Sequence, residues 1–218
     1  MTAVSPPRPR GRRATRPSGD ERESAILTTL ERMLEQRPFA EISVDDLAKG
    51  AGLSRPTFYF YFASKDAVLV RLFARMVADN DPARHAGSGT TLADDPEAGW
   101  RGGIFAFFDA LRPHRAVALA GLTTMASSEE LRQLWSEFMT AWVDYTAGLI
   151  TAERARGAAP DTIPARDLAT ALNLMNERVV FASQDTRSPT LPEDAALEAL
   201  AHVWVASIYG PSARGPKS

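Results

Sequence analysis

The sequence predicts an all-α protein in two parts, a front helical unit that carries a helix-turn-helix and a longer helical unit behind it. Three observations carry the prediction. Apolar residues recur at three- and four-residue steps through the long segments. Ser, Asp and Pro stand where such segments would begin. No stretch alternates apolar and polar residues between hairpin turns.

Residues 1–19 are rich in Pro, Arg and Ser, hold Arg8, Arg10, Arg12, Arg13 and Arg16, and contain no acid. Such a segment cannot bury enough apolar surface to fold alone, so it is predicted to be a disordered basic arm. Its place directly ahead of a helix-turn-helix suits phosphate or minor-groove contacts, with Arg12 and Arg13 as candidates. Residues 20–80 form the predicted DNA-binding unit. Ser18 or Asp20 caps a helix to about Gln36, with Ile26, Leu27, Leu30 and Leu34 on its inner face. Arg37-Pro38 ends it, because the residue before proline is pushed out of the helical region. Phe39 and Ile42 follow as core contacts.

Ser43 is a good N-cap, and Asp46 completes a capping-box-like start to a short helix with Val44, Leu47 and Ala48 inward. Gly50 and Gly52 flank Ala51 and are expected to supply the positive φ that ends this helix. Ser54 caps the next helix, and Pro56 sits in its first turn, where a missing N–H costs nothing. Two short helices around a tight turn are the helix-turn-helix arrangement, whose second helix lies in the major groove. Phe58 and Phe62, one turn apart, pin that helix with Leu53. Arg55 is the candidate for bidentate contact with guanine, and Thr57 for a thymine methyl. The hydroxyls of Tyr59 and Tyr61 suit phosphate oxygens, as does Lys65 near the next helix start. Ser43 has either its cap or a phosphate to serve. Phe60, an aromatic between two tyrosines, receives no role.

The string Asp46-Leu-Ala-Lys-Gly-Ala-Gly-Leu-Ser-Arg-Pro-Thr-Phe-Tyr-Phe-Tyr-Phe62, continued by Ser64-Lys65-Asp66, resembles the DNA-binding signature of the TetR family of transcriptional repressors. In that family the positions matching Thr57, Tyr59, Tyr61 and Lys65 typically lie at the DNA. The resemblance implies a homodimer that binds operator DNA and is released by a small ligand.

Behind the signature, Ser64 caps a helix to about Asp79, with Val68, Leu69, Leu72, Phe73, Met76 and Val77 buried. Residues 81–96, with their prolines, glycines and acids, read as a loop. The predicted back unit, residues 97–210, is helical throughout. One helix runs from Trp100 to Arg112 and a short one from about His114 to Ala126. A long one capped by Ser127 or Ser128 reaches Arg156, where Gly157 stops it. Pro164 opens a helix to about Ser183, and Pro192 opens the last, to about Tyr209. Residues 211–218 are predicted to be a disordered tail.

An aromatic stripe of helical period runs along the long helix and the one at Trp100. By period alone it is core. The number of large rings in so few helices, and the amides Asn173 and Asn176 one turn apart among apolar neighbours, favour a cavity instead. The stretches Phe138–Ala147, Ala152–Pro160, Leu168–Arg178 and His202–Gly210 resemble the ligand half of a mycobacterial branch of the TetR family. The resemblance implies a narrow lipophilic channel lined by Trp100, Phe107, Leu111, Met139, Trp142, Tyr145, Asn173, Asn176, Phe181 and Trp204. Leu111 stands where an aromatic is expected. The resemblance also implies a neighbouring flavin monooxygenase gene as the target, and it leaves the number of dimers per operator open.

Composition narrows the remaining classes. The net charge of −2 hides a front of 13 Lys/Arg against 9 Asp/Glu in residues 1–75, which suits a polyanionic partner. There is no apolar run of the roughly 20 residues a bilayer requires, so no membrane partner is expected. The absence of cysteine fits a cytoplasmic protein. His85, His114 and His202 are scattered, and metal signatures, phosphate loops and nucleophile elbows are missing, so neither metal, cofactor nor enzyme activity is expected. Glu177 reads as a salt-bridge partner for Arg178 or another arginine, or as an exposed group. A dimer interface is expected on the last two helices, from Ala195, Leu197, Ala199, Leu200, Val203 and Ile208.

Overall fold

A computed structural model describes residues 18–82, 92–182 and 189–210, and among these the chain is helical with no strand. Arg12, Arg13, most of the loop at 81–96 and the tail at 211–218 lie outside the described residues. The order is α1 (Gly19–Leu34), a 3-10 turn (Phe39–Glu41), α2 (Val44–Gly50), α3 (Arg55–Tyr61), α4 (Lys65–Asp79), α5 (Pro96–Leu111), α6 (Arg115–Thr124), a 3-10 turn (Met125–Ser127), α7 (Glu129–Ala155), α8 (Ala165–Ala182) and α9 (Glu193–Tyr209).

Local chemistry sets these starts. Ser18 and Glu21 form a reciprocal capping box, so α1 begins inside what reads as the end of the arm. Ser43 and Asp46 form a second box. Ser54, Ser64, Asp95 and Ser128 each accept from a backbone N–H in the first turn of α3, α4, α5 and α7. The two glycines of the α2–α3 turn have different jobs. Gly52 has φ +68°, as expected, but Gly50 closes α2 in helical conformation. A Cβ on Gly50 would stand 2.5 Å from the Thr29 Cγ2 methyl, so glycine there lets α2 approach α1.

Packing joins the two halves. One apolar cluster runs from Ile26 and Leu30 through Phe58, Leu69 and Phe73 into Phe107, Trp135, Phe138 and Trp142. A second fills the space among α5, α7, α8 and α9 around Trp100, Ile104, Ile150, Leu172, Leu200 and Trp204. Between them α4 crosses α6 very closely. Phe73 is fully buried, and a Cβ on Gly121 would stand 2.3 Å from its ring. A polar tie reinforces this join, His114 Nδ1 lying 2.9 Å from Glu31 Oε1, while Arg71 Nε, 3.3 Å from Glu23 Oε1, ties α4 to α1 within the front unit.

Three of the six residues assigned to a dimer interface are monomer core. Leu197, Leu200 and Ile208 are buried in the second cluster, where α9 packs on α5 and α8 and turns those faces inward. Ala195, Ala199 and Val203 remain exposed on the opposite face.

Candidate DNA interface and ligand cavity

Helix α3 is held by its inner residues. Phe58 is fully buried, Phe62 nearly so, and their rings lie 6.2 Å apart. The rest of this short helix faces outward. The Arg55 guanidinium donates to both carboxylate oxygens of Asp45 on α2, at 3.3 and 3.2 Å, and to the Tyr59 hydroxyl at 3.4 Å. That hydroxyl and the Asp45 charge both favour the protonated guanidinium. Thr57 Oγ1 lies 2.7 Å from Ser54 Oγ, Tyr59 is 46% exposed, and Tyr61 is half-buried. Arg55 and Tyr59 are thus linked on one side of α3, while Thr57 and Tyr61, one turn apart from each other, flank it on the other side.

Ser43, left open between its cap and a phosphate, and Lys65, expected at a phosphate, each have partners within the protein. Ser43 Oγ accepts from the Asp46 N–H at 3.1 Å and donates to the Asp46 carboxylate at 2.8 Å, so its hydroxyl belongs to the cap. Hydrogen bonds from Ser43, with Arg37 adding its charge, hold the Asp46 carboxyl below its usual range. Lys65 Nζ donates to the carbonyls of Phe39, Ala40 and Ile42 at 3.0, 3.4 and 2.8 Å and sits 4.5 Å from the Phe39 ring centroid. An ammonium has three donors, and all three are engaged. In this structure Lys65 is a strut between α4 and the segment that leads into the helix-turn-helix.

In the back half, the residues expected to line one channel divide. A cavity of about 200 Å³ lies among α5, α6, α8 and the start of α9, and of the ten expected residues Leu111 and Phe181 line it. Sequence reasoning missed the rest of its wall: Phe108, Ala118, Leu119, Val179, Val180, Leu191 and Ala196 supply apolar surface, and Arg112, Arg115 and Glu193 supply charge. The Arg112–Glu193 ion pair, 2.5 Å long, ties the end of α5 to the start of α9 at this wall. The only signal in the sequence was Phe108 beside Phe107 in the same stripe.

The other expected residues are packed. Phe107 meets Trp142 edge-on at 5.2 Å and stacks on Phe138 at 6.2 Å, while Met139 is buried nearby and Tyr145 lies 6.4 Å from Trp142. Trp100 is assigned to the second cluster, its ring 5.4 Å from Trp204 and its Nε1 donating to the Tyr209 hydroxyl at 3.0 Å. Asn173 and Asn176 are both buried. Asn173 Nδ2 donates to Thr146 Oγ1 at 3.1 Å and to the Ala169 carbonyl at 2.9 Å. Asn176 Oδ1 and Trp204 Nε1 are buried without a partner, a cost of about 1–3 kcal/mol each. Glu177, expected beside an arginine or in solvent, instead accepts from Trp135 Nε1 at 2.5 Å.

Ring contacts run from the cavity wall to α4. The Phe181 ring lies 5.5 Å from Trp135, and Trp135 lies 6.0 Å from Phe73. Through the α6 wall, Ala118 borders the cavity one turn before Gly121, on which Phe73 rests.

Residues 26–72 match the family model of bacterial regulatory proteins of the tetR family, and residues 100–210 match that of the C-terminal domain of the transcriptional regulator EthR. The chain is 57% identical over 202 residues to the HTH-type transcriptional regulator EthR of Mycobacterium tuberculosis, spanning 93% of this chain and 94% of that protein. It is 52% identical over 211 residues to its counterpart in Mycolicibacterium smegmatis, spanning 96% and 97%. Among solved structures, a transcriptional regulator of Saccharomonospora viridis in complex with choline superposes with TM-score 0.69 at 19% identity, over 87% of this chain and 98% of that one. A tetR-family regulator of Streptomyces coelicolor gives 0.68 at 19% identity, over 87% and 81%. At such identity these two likenesses are of fold alone.

Proposed function

The chain belongs to the TetR family of bacterial transcriptional regulators, not to an enzyme family, and on that premise we propose that it is a repressor released from operator DNA by a lipophilic ligand. Residues 20–80 hold the reading helix and residues 97–210 the regulatory unit. The observation that carries the ligand reading is the cavity of about 200 Å³ whose wall residue Phe181 contacts Trp135, which in turn contacts Phe73 on α4.

A cavity of about 150 Å³ takes benzene, so this one suits a somewhat larger apolar group. A longer ligand extends toward Asn176 and Trp204, where a buried acceptor and a buried donor await partners. Occupancy displaces Phe181 and Trp135, and Phe73 carries the displacement to α4. Lys65 then transmits it to the segment ahead of α2. In a dimer, whose half-sites lie about 34–36 Å apart, a small tilt of each α4 takes the two reading helices out of register. Ligand shifts this equilibrium only by its difference in affinity for the two arrangements. The likeness to EthR supports a neighbouring monooxygenase gene as the target.

The test is a mobility shift with the DNA upstream of the chain's own gene. Wild type is expected to retard it specifically. Ala118→Phe places a ring in the cavity and is expected to lower operator affinity at least about tenfold without ligand, with wild-type melting behaviour. Full affinity in that variant would remove the link between cavity and DNA.

A further inference from the structure

The most exposed large apolar side chain described in the molecule is Phe60, 83% exposed, against 51% or less for the others. It stands on α3, the helix that the family uses to read DNA. At 100° per residue it lies 200° from Phe58 and 160° from Phe62, so the two anchors that hold α3 in the core aim Phe60 directly outward. Its one ring contact is edge-on with Tyr61, centroids 5.2 Å apart, which limits how far the ring can swing.

Single apolar residues on a surface are ordinary, and exposure alone says little. The neighbours make this one informative. Around Phe60, α3 presents Arg55, Thr57, Tyr59 and Tyr61, all able to hydrogen-bond to phosphate or to base edges. Phe60 can do neither. A side chain wedged between base steps belongs to minor-groove binders, whereas a recognition helix lies in the major groove. The apolar feature displayed in that groove is the C5 methyl of thymine.

We propose that Phe60 is a specificity-determining residue that packs on a thymine methyl in each half-site of the operator. This rests on the DNA-binding assignment of α3. The polar residues around it hold the helix in register, and Phe60 discriminates thymine from cytosine at the same position by the methyl group.

The experiment is selection of binding sites from a random-sequence duplex pool, by wild type and by Phe60→Ala in parallel. Phe60→Ala is expected to match wild type in circular dichroism and melting, since the ring is exposed. Wild type is expected to fix a thymine at one position per half-site, and Phe60→Ala to accept other bases there. Replacing that thymine by uracil, which lacks only the methyl, should weaken wild type about fourfold per half-site, the worth of one buried carbon. The same replacement should leave Phe60→Ala unchanged, and Phe60→Leu should retain part of the discrimination. Identical selected sites, or uracil weakening both proteins alike, would overturn the assignment and point to Thr57 or to DNA shape. If wild type selects no sequence at all, the DNA-binding reading of α3 fails and this inference with it.

Discussion

At the scale of single residues, Glu153 shows how a charge is kept inside the back half. Its carboxylate is 4% exposed and accepts from the Tyr209 hydroxyl at 2.6 Å and from Arg156 at 2.8 and 2.5 Å. Burial works against its charge, but the bonds from Arg156 and Tyr209 outweigh that and hold its pKa below the ordinary value. Burial, then the bond to Glu153, pushes the Tyr209 pKa up. The signs fix the pH window. Glu153 contributes stability above its unfolded pKa, near 4.5, that is lost as pH falls through the folded value. Tyr209 contributes stability below its unfolded pKa, near 10, that is lost as pH rises beyond it toward the folded value. Tyr209→Phe should cost about 1–3 kcal/mol at neutral pH, because Trp100 Nε1 and Glu153 Oε2 each lose a partner. Thermal unfolding measured from pH 7 to 11 should then show a flatter alkaline decline in the variant.

At the scale of elements, the α4–α6 crossing is the joint through which the proposed regulation would pass. Gly121→Ala would place a methyl against a ring that has no free side, since Phe73 is fully buried and backed by Trp135. The expected result is a protein of near-wild-type helicity whose operator affinity is low without ligand. Adding Phe73→Leu, which withdraws the ring, should restore much of that affinity. Failure of the second change to rescue the first, measured by mobility shift, would mean that the crossing does not set the reading helices. Little of this joint was legible in the sequence. Serine caps at positions 43, 54 and 64 could be read, and those at 18 and 128 narrowed to two residues each, because a cap is decided within four residues. A glycine inside a helix gives no local sign of what approaches it, so Gly121 passed unread and Gly50 was credited with a turn. The wall of the cavity is hard to read for the same reason. Which rings of a stripe touch each other depends on the angles at which α5, α6, α8 and α9 cross, so Phe107 reads like Phe108 although only Phe108 reaches the cavity.

At the scale of the whole molecule, α8 and α9 leave a face without a partner. Asp167, Ala171, Leu174 and Arg178 on α8, and Ala195, Ala199, Val203 and Ala206 on α9, recur at three- to four-residue steps and are exposed. Leu174 is 51% and Val203 38% exposed. Members of this family act as dimers, and two such helix pairs can close as a symmetric bundle around this face. Leu174→Glu is expected to shift sedimentation from dimer to monomer at micromolar concentration. It should also lower operator affinity about a hundredfold, with each monomer still folded by circular dichroism.

The apolar cluster that begins at Ile26 on α1 and ends at Trp142 on α7 has no seam at α4. Its interior is therefore expected to melt as one unit. Amide protons in the front helices should exchange with solvent through the same rare opening that frees those of α7, and a ligand that tightens the back should slow exchange at Leu30. The front helices cannot be cut away at residue 80 without stripping Phe73 and Met76 of their surroundings. On the proposed mechanism, an effector would therefore act by changing the lean of the reading helices and not by freeing the front unit.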